Sequence, residues 1–331
     1  MQRACAITGA ALLLSAMIGN YVNAAEVKGM TWLAQETSTW TETKAKLQSL
    51  GEQFPTSEAL FEHLRKEASD GTSLDPAALP DWRGVWTRTK GGLSFDPDLK
   101  ASDGATSATL TKAGQEAVDK KIHTLTVKGG EYDRISACSP PGTPRWITEP
   151  FLKEFVVTPD QTWLMNEMVN DVRRIYTDGR AHSAAEDSYP SWNGDSIGFW
   201  DGDILTIHTK YLREGDYQRG LQPDYSDQVE LVERWHKVND MTIEADTWAF
   251  DPVNLAKPWY TRQSWTKIED PDHVLRLRYW DCGENQNNQV IKTEEGTSQF
   301  SDFNFVDDDA AVSSDPNVKR AAGDKAKPAN Q

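Results

Sequence analysis

Residues 173–203 hold more side chains able to do chemistry than any comparable stretch of the chain. His182 follows Tyr176, Asp178 and Arg180 in a loop-like run. An imidazole there can act as general acid or base, because it titrates near neutral pH. Tyr176 can move the same proton and Asp178 can orient it, so the expected catalytic residues are Tyr176, His182 and Asp178. Arg145, Arg174 and Arg180 suit holding a carboxylate, a phenolate or a developing enolate. Trp192, Glu167, Glu284 and Asn285 complete the expected ligand contacts. Plainer roles stand beside these: a solvated loop histidine, an exposed arginine, and a surface Glu167–Arg174 pair contributing less than about 1 kcal/mol. His208, in mid-strand between Ile207 and Thr209, either reaches a cavity or faces water.

Several reaction classes are excluded by missing patterns. No His-x-His or His-Glu-x-x-His pair supports catalytic zinc, and no metal is expected. There is no Gly-x-Ser-x-Gly elbow, phosphate loop or dinucleotide fingerprint, so no redox cofactor is expected. Asp187, Asp195, Asp201 and Asp203 are oxygen donors suited to calcium, yet Asp-Gly is first of all hairpin chemistry and no EF-hand spacing is present. A formal charge of −16 and a pI near 4.8 argue against nucleic acid or anionic lipid as partners. A small-molecule ligand is the expected partner.

These residues need a scaffold. Residues 1–25 read as a secretory signal peptide: a basic start, an apolar run and small residues at the end. A periplasmic or secreted protein follows, with no membrane attachment after cleavage. Cys138 and Cys282 then form an even pair in an oxidising compartment, and a disulfide is expected. Closing that loop is worth about 4–5 kcal/mol in the chain-entropy model. Ser139–Pro144 contains three prolines, which predicts a stiff extended loop presenting Arg145. The bridge would bring Arg145 and Glu284 to one rim.

Residues 26–80 read as a helical cap and linker, with a second helix starting at Pro55-Thr56-Ser57 and burying Leu60, Phe61 and Leu64. Another helix is expected over 111–122, capped by Thr111, with Ala113, Ala117, Val118 and Ile122 inward. Strands are expected at 155–158, 163–169, 172–177, 197–200, 204–211, 229–238, 241–250, 260–268 and 274–282. Asn170-Asp171, Asp201-Gly202 and Asn239-Asp240 suit two-residue hairpins between them. Such a series predicts a mainly β domain over 81–300, an antiparallel meander closed into a barrel, with a β-sandwich as the alternative. Residues 301–331 read as a disordered tail. Strand alternation about a turn at Asn170-Asp171 sets Glu167 opposite Arg174 and Met165 opposite Tyr176, a polar cluster for a cavity.

The segments Cys138–Arg145 (CSPPGTPR), 173–180 (RRIYTDGR), 192–198 (WNGDSIG), 200–203 (WDGD) and 282–285 (CGEN) resemble a family of exported bacterial proteins without an established reaction. The resemblance implies a lipocalin-like β-barrel and an exported location. It places Gly283 where the family often has histidine, so a role needing that histidine does not carry over. The resulting expectation is a small-molecule enzyme of lyase, isomerase or hydratase type, acting by acid–base chemistry on an organic acid, phenolic or apolar ligand. A carrier using the same pocket without turnover is the alternative, and a purely structural role is the third.

Overall fold

The structure, a computed structural model, describes residues 40–89, 94–99, 106–128, 135, 138–217, 223–270, 272 and 274–280, with the backbone of short strands at 290–292 and 298–300. The apolar alternation becomes strands β1 (Trp86–Arg88), β2 (Lys153–Val157), β3 (Gln161–Asn166), β4 (Asp171–Tyr176), β5 (Asp195–Asp201) and β6 (Ile204–Lys210). A two-stranded excursion, β7 (Gly215–Asp216) and β8 (Asp224–Tyr225), precedes β9 (Glu230–Asn239), β10 (Thr242–Phe250) and β11 (Trp259–Lys267). Nine of these close a barrel in the order β1-β11-β10-β9-β6-β5-β4-β3-β2, with β2 returning to β1. Closure removes the sheet edges and the sandwich alternative with them. The meander is antiparallel except where β4 meets β5, a parallel contact at Tyr176 and Ile197.

Asp201 pairs with Ile204 and Asn239 with Thr242, so the two-residue turns are Gly202-Asp203 and Asp240-Met241, each one residue later than expected. Two larger departures lie near one corner. The β3–β4 connection is four residues long rather than two: Asn166 pairs with Asp171, and a turn of 3-10 helix spans Met168–Asn170. The longer turn buries Met168, whose N–H donates to Asn166 Oδ1 at 3.1 Å, and it sets Val169 and Asn170 at positive φ. Trp163, not Glu167, therefore lies opposite Arg174. Residues 274–280 form no strand; side chains of the β3–β4 turn hold them instead. Arg278 N donates to Glu167 Oε1 at 2.9 Å, and Asn170 bonds the backbone of Trp280 in both directions at 3.0 and 2.9 Å.

The barrel interior is packed, not an open cup. Trp82, Trp86, Trp146, Trp200, Trp235 and Trp265 are buried there with Phe155 and Leu164, and Trp235 stacks on Trp265 at 4.6 Å. The proline-rich segment is part of that filling. Residues 141–149 are buried throughout and include the single turn α4, Arg145–Thr148, introduced below with the other helices. A stiff segment displayed at the rim is thus a plug, because its prolines and Trp146 are more favourably buried than exposed.

Helices α1 (Trp40–Glu52) and α2 (Ser57–Glu67) lie against the outer face of the barrel, α3 (Lys112–Lys128) beside the excursion and β10–β11 connection, and α4 (Arg145–Thr148) inside. Thr56 caps α2 by accepting from Ala59 N at 3.1 Å, Glu58 stands in its first turn and Arg65 and Lys66 in its last, all matching the helix dipole. Leu60, Phe61 and Leu64 pack on Ile197, Phe199, Val232 and Trp248. Each such burial contributes roughly 1.5–3 kcal/mol. On α3, Thr111 caps as expected, its Oγ1 accepting from Gly114 N at 3.0 Å. The inward residues there are Gly114 and Val118, while Ala113, Ala117 and Ile122 are exposed. Gly114 sits where a Cβ would come 2.3 Å from Asn254 O, so close backbone approach sets the helix face.

Candidate functional site

Along β4 the side chains alternate as expected, but the opposite set points inward. Asp171, Arg173 and Ile175 are buried, while Val172 and Arg174 are exposed. Arg174 covers the Trp163 ring at 5.3 Å, and Arg180 covers the Tyr176 ring at 3.9 Å. Arg180 also forks onto Asp178 at 2.6–3.0 Å. Arg145 is buried and ion-paired with Glu149 and Asp216, both at 2.6 Å, so it is consumed in the plug and not offered to a ligand. Trp192 carries Arg213 over its ring at 4.6 Å, and its carbonyl accepts from Thr143 N. Glu167 anchors residue 278, as above. The expected cluster of Glu167, Arg174 and Tyr176 facing a cavity is therefore not formed. Glu284, Asn285 and Cys282 lie outside the described residues. Cys138 is disulfide-bonded.

His182 turns away from Tyr176 and enters a different constellation. Its Nε2 lies 3.0 Å from Nδ1 of His208, which points outward from β6 beneath α2. Nε2 of His208 lies 2.9 Å from the Ser57 hydroxyl at the start of α2, and the Phe61 ring stacks on His208 at 5.2 Å. Ser57 in turn donates a short hydrogen bond to Glu230 Oε2 on β9. At the far end, His182 Nδ1 makes no hydrogen bond that meets strict geometry and faces Asp195 Oδ2 at 3.3 Å. Asp195 Oδ2 is itself oriented by Ser183 N at 2.8 Å. The result is a line of contacts, Asp195–His182–His208–Ser57–Glu230, crossing three strands, one loop and one helix.

Burial differs along that line: His208 and Ser57 are each 1 % exposed, and the other members are partly open. Burial, and after it the charge of His208, push His182 below the usual histidine value. Burial alone would raise the Glu230 carboxyl, but hydrogen bonds from His208 and Ser57 and the Lys210 charge outweigh it and hold it at about 2. Lys210 Nζ lies 3.5 Å from Glu230 Oε1.

Ser57 and Glu230 also line an open-sided cavity of about 710 Å³ between the α1–α2 turn and the loops at 227–230 and 250–258. Phe54, Val229, Phe250 and Leu255 give it apolar walls. Among the described residues no arginine lines it, its Asp251 is spent on Ser226 and neighbouring backbone amides, and Glu52 is bridged to Lys257 at 3.1 Å. No protein-family model and no curated protein matches the chain. The site must be read from its own geometry. Imidazoles linked to a hydroxyl and an ionised carboxylate at a cavity wall can deliver or accept a proton there.

The sequence marks His182 as a candidate acid or base, leaves His208 between a cavity and water, and offers Asp195 only as an oxygen donor for calcium. Ser57 is legible only as part of a helix start, and nothing in the sequence singles out Glu230. β6, Ile204–Lys210, is buried on both faces almost to its end, but the face carrying His208 reads Ile204, Thr206, His208 and Lys210, a mixed pattern that does not announce the helix lying over it.

Proposed function

We propose that the protein is an exported small-molecule enzyme working by acid–base chemistry, without a redox cofactor, as a lyase, isomerase or hydratase. The observation that carries this is the line of contacts from Asp195 through two histidines to Ser57 at the cavity wall. Ser57 presents its hydroxyl to the occupant, His208 and His182 pass the proton along, and Asp195 orients His182. Glu230, held ionised, supplies negative charge at the wall. Because no arginine among the described residues lines the cavity and its Lys257 is paired with Glu52, a neutral or cationic molecule with an apolar body suits it better than a carboxylate. The Cys138–Cys282 bridge and the exported location belong to this proposal, supported by the disulfide form of Cys138 and the residue pattern of 1–25.

A thermal-shift screen of apolar alcohols, enones and amines tests it, since a ligand at 100 times its Kd adds about 2.7 kcal/mol of stability. Hits are then followed by NMR for isomerisation, hydration or elimination. Turnover that falls at least about 100-fold in Ser57→Ala and in His182→Gln supports the proposal. Turnover untouched by both replacements refutes it. Hits that bind without turnover select the carrier reading, which the apolar walls favour.

A further inference from the structure

The hydrogen bookkeeping of the same line goes further, and it rests on the reading just given. Three contacts are hydrogen bonds that each hold one hydrogen, His182 to His208, His208 to Ser57 and Ser57 to Glu230, and the fourth sets the buried, otherwise unpartnered His182 Nδ1 at ion-pair distance from Asp195, where a fourth hydrogen would satisfy it. Two neutral imidazoles and one hydroxyl supply three. Both ends are carboxylates, which when ionised only accept. A bare His182 Nδ1 lone pair against Asp195 Oδ2 at 3.3 Å, or a bare Ser57 oxygen against Glu230, would set two acceptors face to face. We infer that the His182–His208 pair stores one additional proton, so that the line is a charged relay able to discharge one proton through Ser57 to the cavity.

In that state His182 Nδ1 donates to Asp195, one hydrogen lies between the two rings, His208 Nε2 donates to Ser57, and Ser57 donates to Glu230. Discharge leaves the hydrogen on His182 Nδ1 in place and shifts the other three: Ser57 gives its proton to the occupant, His208 Nε2 replaces it, and the hydrogen between the rings settles on His208 Nδ1 as His182 becomes neutral. No electrons are exchanged and no bond other than X–H forms or breaks. The surroundings match a single positive charge. Asp195 on β5 and Glu230 on β9 favour it, Lys210 on β6 opposes it, and α2 contributes only neutral Ser57 and the Phe61 ring. Tyr211 donates to Ser183 O at 3.3 Å, and the Arg180 charge is directed to Asp178. A second proton is disfavoured, because burial and, after it, the charge on His208 push His182 down, with Asp195 opposing both.

Long-range ¹⁵N–¹H NMR of the imidazoles, on the full chain without any ligand, tests this directly. At neutral pH the four ring nitrogens of His182 and His208 should carry three hydrogens. Two replacements should each remove the need for the extra one, with opposite consequences. In Glu230→Gln the new amide donates to Ser57, the bonds from Ser57 to His208 and from Ser57 to residue 230 reverse while His182 Nδ1 still donates to Asp195, and both rings become neutral with hydrogen on Nδ1. In Asp195→Asn the new amide donates to His182, and both rings become neutral with hydrogen on Nε2. Two hydrogens in the parent protein, or the same tautomer in both variants, would overturn the inference. Because no substrate is involved, a charged pair in a protein that turns nothing over would sink the enzymatic proposal alone. Turnover lost in Ser57→Ala with two neutral rings would sink this inference alone.

Discussion

Arg173 and Glu233 form an ion pair with neither residue exposed, in the middle of the barrel. Arg173 reaches both carboxylate oxygens, Nη1 at 3.1 Å and Nη2 by a shorter bond, and Nη2 donates to Thr209 Oγ1 at 2.7 Å. Replacing one partner leaves an unpaired charge in a tryptophan-lined interior. Arg173→Met and Glu233→Met should therefore each cost about 3–5 kcal/mol. In the double replacement no charge remains. Ser196 and Thr209 lose the Arg173 donors but still bond each other at 2.9 Å, and only Trp235 Nε1, now 3.3 Å from Glu233 Oε1, is left without a partner, a cost of about 1–3 kcal/mol. The two methionines recover part of that by filling the space. The double variant should lie within about 2 kcal/mol of the parent, giving a coupling of at least about 4 kcal/mol. Urea unfolding measured with a constant slope reads all four corners of the cycle. Costs that simply add would show that the pair is not the interior charge unit described here.

Burial pushes the Asp171 carboxyl up to about 6 from 3.8, so its contribution is complete below the ordinary value and lost as pH rises through about 6. Asp171→Asn should then stabilise the protein by up to about 3 kcal/mol at pH 7 and by little at pH 4, as denaturation at the two pH values will show. Lys153, pushed down to about 7 by burial, works in the opposite sense: stability should rise between about pH 7 and 10.5, and a urea midpoint flat across that window in the parent, yet equal to that of Lys153→Met, would contradict its burial. Gly114→Ala should destabilise by about 1–3 kcal/mol in spite of alanine's better helix propensity, since its Cβ would press on Asn254 O; a gain in melting temperature would refute that packing. Arg174→Ala should cost less than about 1 kcal/mol and leave ligand hits unchanged, because its guanidinium only covers Trp163 at the surface; loss of the thermal-shift response would restore it to the site.

Much of the scaffold is legible in local pattern. Thr56 before Ser57-Glu58 and an apolar face at 60, 61 and 64 specify α2. Turn residues such as Gly202, at φ +61°, and Asn239-Asp240 punctuate the strands, and their spacing leads to a closed meander. Strand alternation likewise sorts β4 correctly into two sets, since that depends only on backbone geometry. Which set faces inward does not follow from alternation. Arg173 and Arg174 are adjacent and chemically identical, and only Glu233, sixty residues on and three strands around the ring, makes the first the buried one. The proline-rich run around Arg145 is equally ambiguous, stiff in either place, until Glu149 and Asp216 are found waiting inside.

The line of contacts opened by His182 lies at the far end of this scale. The sequence by itself determined a β-barrel with a helical N-terminal portion, because hydrogen-bonding period, caps and turns act over a few residues. It also marked His182 as a chemical group. Only the tertiary structure decided what His182 does, since Ser57, Asp195, His208 and Glu230 come from a helix and three strands whose meeting depends on closure of the whole ring. Contacts between residues up to 173 positions apart leave no local trace in the chain.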